Sequence, residues 1–259
     1  ASTAEVSNRL LDILRTHVVV GNVEDGNTYY RTMGGTEIRV DHARQGAGAM
    51  TVAGSLQVNE GRTARVSYIY DQSAMGNGKT YILNDEPIMT TRHTVRDILA
   101  AHSEYSKFLE LMDGSGLFET IHNNKYACGG TNISLFNTYH YTVYVPTNES
   151  IEKLQKQGKL PTWTQVDNEE GTRRTKDSLS IVNFVKYHIQ DNAVFIGGGT
   201  TSADYETSCI NNATGRFYKI SVQGNNDGIT LRDVVGNTRH VLTSNASLYN
   251  QQAREYQYN

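Results

Sequence analysis

The stretch Tyr141-Thr142-Val143-Tyr144-Val145-Pro146-Thr147-Asn148-Glu149-Ser150 decides the fold. Its first half is rich in aromatic and β-branched residues, which suit a pleated surface. Pro146 has no N–H to give a ladder and ends the strand predicted over Tyr139 to Val145. Thr147 then stands where a helix N-cap belongs, and the helix predicted from Asn148 to Gln157 stops at Gly158. Strand, corner and helix follow one another without a linker, so the surrounding unit mixes the two kinds of element.

Working outward, Thr94-Val95-Arg96-Asp97 reads as a helix start, and Ser103 as the cap of a second helix carrying Tyr105, Phe108, Leu109 and Met112. Asp113-Gly114-Ser115-Gly116 stops that helix. Residues 123–138 are polar, contain Gly129-Gly130 and read as a loop. Beyond the corner, the charged stretch Asp167 to Asp177 precedes a helix with Leu179, Val182 and Val185 on one face, which leads into Tyr187-His188. The remainder reads as strands.

The first third repeats the theme. Ser2-Thr3-Ala4-Glu5 fits a capping box, and Val6, Leu10, Leu11, Ile13 and Leu14 recur at helical spacing, so residues 4–15 are predicted helical, ending at Thr16-His17. Strands with turn signals follow. Ile38 and Val40 alternate with Glu37, Arg39 and Asp41, and Val66, Tyr68 and Tyr70 alternate with Arg65, Ser67 and Ile69, predicting one buried face in each case. This sheet closes near Leu83. A shift of 171 residues lays Leu11-Asp12-Ile13-Leu14-Arg15-Thr16-His17-Val18 over Val182-Asn183-Phe184-Val185-Lys186-Tyr187-His188-Ile189. Both copies end a helix with a His and continue as a strand, which marks an internal repeat.

With 259 residues, at roughly 150 per domain, one or two domains are expected. The 24 Lys and Arg against 27 Asp and Glu leave a net charge of -3, without the basic footprint that a phosphate backbone requires, so nucleic acid is excluded as an expected partner. No apolar run approaches the about 18 residues of a membrane span. Ala1 opens into polar, helix-like sequence, so any export signal is expected upstream of it or already removed. Cys128 and Cys209 lack the C-x-x-C spacing of a zinc or redox site and admit either one bridge or two free thiols.

These residues resemble the fasciclin (FAS1) domain. The Tyr141 to Ser150 corner and the Tyr187-His188 block carry most of the resemblance. Leu109 to Phe118 is similar to the helix and Gly-Leu turn that open such a domain, and Asn77-Gly78-Lys79-Thr80-Tyr81-Ile82-Leu83-Asn84 to its closing strand. The tail from Leu248 to Tyr256 is similar to a segment of fasciclin-type proteins of bacterial envelopes. The resemblance implies an α+β fold of tandem fasciclin-like domains, each a twisted β-sandwich or wedge with small flanking helices. Residues 1–90 look like the C-terminal part of a first domain, which lacks the Pro-Thr-Asn-Glu corner. Residues 91–259 look like a second domain without its closing strand.

There is no H-E-x-x-H, G-x-S-x-G or P-loop, and no pair of His at helical i, i+4 spacing, so no catalytic residue, metal site or cofactor is expected. Gly197-Gly198-Gly199 reads as a flexible loop rather than an anion cradle, and Asn225-Asn226-Asp227-Gly228 as a β-turn rather than a calcium loop. Asp113, Glu119, Glu149, Glu169 and Glu170 supply carboxylates, but glycoside hydrolysis needs two of them facing across about 5 to 9 Å. His17 and His188, each at a helix C-terminus, suit structural hydrogen bonding to unpaired carbonyls. Thr147 and Asn148 belong to the same structural motif.

By resemblance, the neighbourhood of Tyr187 and His188 is an adhesion surface; Trp163, beside Pro161, suits either a sugar-stacking platform or a loop anchor packed on the core, and is the candidate glycan contact. The expected function is a non-enzymatic extracellular or cell-surface adhesion module that binds a protein or glycan. It is anchored only through parts outside this chain, as in an outer-membrane lipoprotein of a bacterium. The alternatives are an architectural spacer and a glycan-processing enzyme or accessory using residues 123–138 and 160–177 as substrate loops.

Overall fold

A computed structural model describes residues 3–89, 95–117, 141–192, 194, 201–225 and 228–241. Two antiparallel sheets with short helices give the α+β architecture that the sequence predicts. In the first part, helix α1 (Thr3–Thr16) precedes strands β1 (Tyr29–Arg31), β2 (Glu37–Asp41) and β3 (Thr51–Ala53). The short helix α2 (Ser55–Asn59) then leads to β4 (Ala64–Asp71) and β5 (Lys79–Leu83). The sheet order β1-β2-β3-β4-β5 follows the chain, a meander with β1 and β5 at its edges. Ile38, Val40, Met50, Val52, Val66 and Ile88 form its core.

Two side-chain assignments in this sheet differ from the simple alternation. The register shifts between Val66 and Tyr68, a bulge that reverses the parity of β4. Val66 stays buried, Ile69 turns toward the core beside Tyr81, and Tyr68 and Tyr70 emerge about half exposed with ring centroids 4.6 Å apart. Glu37, expected on the open face of β2, is buried along with Thr36.

The second part begins with α3 (Val95–Ala101), a 3-10 turn at Ser103–Tyr105 and α4 (Ser106–Gly114). Strand β6 (Tyr141–Val143) turns through Pro146 into α5 (Asn148–Lys156), followed by α6 (Trp163–Asp167) and α7 (Gly171–Tyr187). Strands β7 (Ile189–Asp191), β8 (Thr201–Asn211), β9 (Arg216–Gly224), β10 (Ile229–Arg232) and β11 (Thr238–His240) complete a six-stranded meander with β6 and β11 at its edges. Phe108, Leu111, Met112, Leu117, Ile151, Leu160, Val166, Ile181, Val185 and Ile189 form one buried cluster, which joins the helices to the start of β7. Each such side chain contributes about 1.5–3 kcal/mol by leaving water.

Residues 160–177 do not form a substrate loop. They hold α6 and the first turns of α7, because Thr162 and Gln165 make a capping box and Glu169 pairs with Arg173 one helical turn on at 2.8 Å. The buried stripe of α7 runs through Ile181 and Val185, which leaves Leu179 half exposed rather than in the core. Ser103 is not a side-chain cap. It opens the 3-10 turn, and α4 begins at Ser106, where the N–H of Lys107 is accepted by Asn148 Oδ1. The expected boundary near Thr90, the loop 123–138 and the segment after Val241 lie outside the described residues.

Candidate functional site

The corner fixes the geometry from which the site is built. Thr147 Oγ1 accepts the N–H of Ser150 at 3.3 Å and caps α5. Asn148 reaches back 41 residues: its Oδ1 accepts the Lys107 N–H at 3.0 Å, and its Nδ2 donates to the Ser103 carbonyl at 2.9 Å and to Ser106 Oγ at 3.1 Å. One side chain therefore ties the start of α5 to the start of α4.

His188 closes α7 onto the same helix. Its Nδ1 lies 2.7 Å from the Phe184 carbonyl, and because a carbonyl only accepts, Nδ1 carries the proton. The ring stands edge-on to Phe108 of α4 at 5.8 Å and lies against Phe184 at 4.4 Å. Burial holds its imidazole below the ordinary histidine range, although the Phe184 hydrogen bond pulls the other way. His17 makes the equivalent contact in the first part: Nδ1 lies 2.7 Å from the Ile13 carbonyl, and Nε2 accepts the Ile88 N–H at 3.0 Å. The following strand residues also correspond. Val19 bridges Thr32, and Gln190, 171 positions after Val19, pairs with Thr207.

Tyr187 points away from the helices, toward the sheet. Its ring stands edge-on to Tyr218 of β9 at 6.0 Å, and its phenol oxygen accepts the Val234 N–H at 3.3 Å. Burial raises its pKa. The turn it meets, Asp233 to Asn237, connects β10 to β11 and is tightly bound. Asp233 Oδ1 accepts the N–H groups of Val235 at 3.0 Å and Asn237 at 2.8 Å, Oδ2 accepts Asn237 Nδ2 at 2.9 Å, and Gly236 turns in the left-handed region at φ 91°. Partial burial pushes the Asp233 carboxyl up, but these donors outweigh it and hold it below the usual carboxylate range. Val234 and Val235 are displayed outward, 54% and 78% exposed.

Tyr187 and His188 are thus neighbours that serve opposite sides, one the sheet and one the helical layer. Trp163 sits at the other end of α4, where its indole N–H donates to the Leu111 carbonyl at 3.2 Å and its ring covers Gly114, on which a Cβ would collide with the indole. Two of the weighed carboxylates are in ion pairs: Asp113 with Arg96 at 2.9 Å and Glu169 with Arg173. Glu149 lies in the first turn of α5, Glu170 precedes α7, and Glu119 is outside the described residues. Cys209 is a buried free thiol, and Cys128 lies outside the described residues, as does Gly197-Gly198-Gly199. Among the described residues no group of three or more His, Cys, Asp or Glu is placed to hold a metal ion, and no helix is long and apolar enough to cross a membrane.

The turn at Asp233 to Asn237 was missed in the sequence reading. Its signal is the Asp-x-x-Gly-Asn spacing, masked by two valines that read as strand.

A meandering sheet capped by a layer of short helices, with a strand-Pro-Thr-Asn corner and a helix-closing Tyr-His pair, defines an α+β module. The Fasciclin domain family matches residues 103–250, more than half of the chain, and the chain belongs to that family. Fasciclin domains are cell-adhesion-type modules, typically extracellular or at the cell surface. Among solved structures, the chain is similar to the FAS1 domain pair of the insect cell adhesion molecule Fasciclin I. The identity is 14%, over 90% of this chain and 74% of that one, with a TM-score of 0.35, a likeness too slight to argue from. A search of the curated proteins returns no match.

Proposed function

We propose that this chain is a non-enzymatic adhesion module that binds an extracellular protein through the turn between β10 and β11. The observation that carries the reading is the display of Val234 and Val235 on a turn held from below by Tyr187 and from within by Asp233. An apolar tip that is already rigid gives up little conformational freedom on docking, which leaves more of its buried area as affinity. Tyr187 positions the tip and His188 fixes Tyr187 to the helical layer. Neither reacts with a ligand. Domain organisation as a partial first unit to about residue 90 and a second unit after it is part of the same proposal, supported by the matching His17 and His188 contacts.

The test is binding of the intact chain to an array of extracellular-matrix proteins and glycans. Saturable binding to a protein, lost when Val234 and Val235 are both changed to Asp, is the expected result. Binding only to glycans, or protein binding indifferent to the two valines, would overturn it.

A further inference from the structure

The connection from β4 to β5 contains Asn77-Gly78, the one Asn-Gly pair of the chain. The backbone nitrogen of the residue after an asparagine can attack the side-chain Cγ, and glycine in that position obstructs the approach least. In a folded protein the attack needs an exposed asparagine, a side-chain amide that is not held, and a following N–H that is not donated elsewhere. All three conditions hold here. Residues 71–80 are exposed throughout. The turn is closed by backbone bonds, the Asn77 N–H donating to the Gln72 carbonyl at 3.2 Å and the Gln72 N–H to the Gly78 carbonyl at 2.9 Å. Among the described residues, neither the Asn77 side chain nor the Gly78 N–H has a hydrogen-bond partner. Gly78 turns in the left-handed region at φ 77°, with nothing within 4 Å of where a Cβ would stand.

The related Asp-Gly pairs are guarded. Asp25 Oδ1 accepts the Asn27 N–H at 2.9 Å and the Tyr30 hydroxyl at 2.5 Å, and Oδ2 accepts Asn27 Nδ2 at 2.9 Å. The Tyr30 hydrogen bond above all holds the Asp25 carboxyl below the usual carboxylate range, and an ionised carboxylate resists attack by an amide nitrogen. The Arg44 guanidinium closes the space over Gly26, where a Cβ would stand 2.6 Å from Nη2. Asp113, before Gly114 in α4, is gripped by Arg96 through both oxygens at 2.9 and 3.0 Å. Asp227 lies outside the described residues.

We infer that Asn77-Gly78 is a site of spontaneous covalent modification, at which water converts the asparagine to a mixture of aspartate and isoaspartate. The Gly78 nitrogen forms a bond to Asn77 Cγ, its proton passes through hydroxide to the departing amide, and ammonia leaves a five-membered succinimide. Water then cleaves the ring at Cγ, which gives aspartate, or at the backbone carbonyl, which gives isoaspartate with one more carbon in the main chain. The net change is one water taken up and one ammonia released, with no oxidant or reductant. The consequence is local. The extra carbon lies between the Asn77 N–H and the Gly78 carbonyl that both bond Gln72, and the new carboxylate stands two residues before Lys79. Lys79 Nζ holds Glu24 at 2.8 Å and Asp71 at 3.2 Å, so the hairpin is loosened where it is tied to the loop before β1.

The test is incubation of the intact chain at mildly alkaline pH, with peptide mapping by mass spectrometry and electron-transfer fragmentation to separate isoaspartate from aspartate. The same chain held unfolded in guanidinium chloride is the reference. Expected is conversion at Asn77 at least tenfold faster than at Asn212, an exposed asparagine followed by Ala213, and a folded-state rate within about threefold of the unfolded one. Isomerisation at Asp25 should be at least tenfold slower in the folded chain than in the unfolded. In Asn77→Gln the early gain of acid is lost, and because the residue is exposed its thermal melt should coincide with wild type. Conversion that falls first on another asparagine, or a rate at Asn77 at least tenfold slower in the folded chain than in the unfolded, overturns the inference.

Discussion

The phenol oxygen of Tyr187 accepts the backbone N–H of Val234 at 3.3 Å, so the last residue of α7 supports a turn 47 positions later in the chain. Tyr187→Phe keeps the ring on Tyr218 and removes only this acceptor. A net loss of about 0.5–1.5 kcal/mol in unfolding free energy is expected, together with faster amide exchange at Val234. Unchanged exchange at Val234 would show that the turn does not depend on Tyr187.

His188 makes stability depend on pH in a defined direction. Its folded-state pKa lies below the ordinary value of 6.5, so as pH falls past that value the unfolded chain takes up a proton that the folded chain refuses. Stability from this group is complete above about pH 6.5 and declines as pH falls from there through the lower folded pKa, by at most about 1.4 kcal/mol per pH unit. In His188→Asn that part of the slope disappears. Urea titrations of both proteins between pH 7 and pH 5 measure it, and parallel slopes would contradict the buried neutral imidazole.

Asn148→Ala should cost about 1–2 kcal/mol, because the Lys107 N–H at the start of α4 loses its acceptor along with the two contacts made by Nδ2. Asn148→Asp keeps the acceptor and places negative charge at a helix start, so it should be the milder change. Equal losses in denaturant melts would mean that the Nδ2 contacts carry the effect.

Gly114 lies beneath the Trp163 indole, with no room for a methyl group. Gly114→Ala should destabilise by about 1–3 kcal/mol through overpacking, against the usual gain for Ala over Gly in a helix. Calorimetry decides the sign, and a stabilised variant would show that Trp163 moves aside freely.

Elements whose information is local were legible in the sequence. The corner at Pro146 and Thr147, the helix ending in His17 and the one ending in His188 all follow from periodicity, a missing N–H and a cap. What was not legible depends on partners distant in sequence or on a one-residue irregularity. The bulge after Val66 inverts Tyr68 and Tyr70 without any change in the alternating pattern. Asn148 reads as the first residue of its own helix, yet serves another 41 residues earlier. Trp163 resembles an exposed platform until Gly114 is seen under it. The turn at Asp233 hides behind two valines whose β propensity suggests burial, whereas the Asp233 hydrogen bonds set them outside.

The adhesive contact is proposed to lie at the Val234-Val235 tip. It is tested most directly by surface plasmon resonance of the intact chain over the extracellular protein captured from the array, comparing wild type with Val235→Asp. At least a tenfold larger Kd is expected for the variant, mostly through faster release, with an unchanged melting profile. Equal dissociation constants in two equally stable proteins would contradict it.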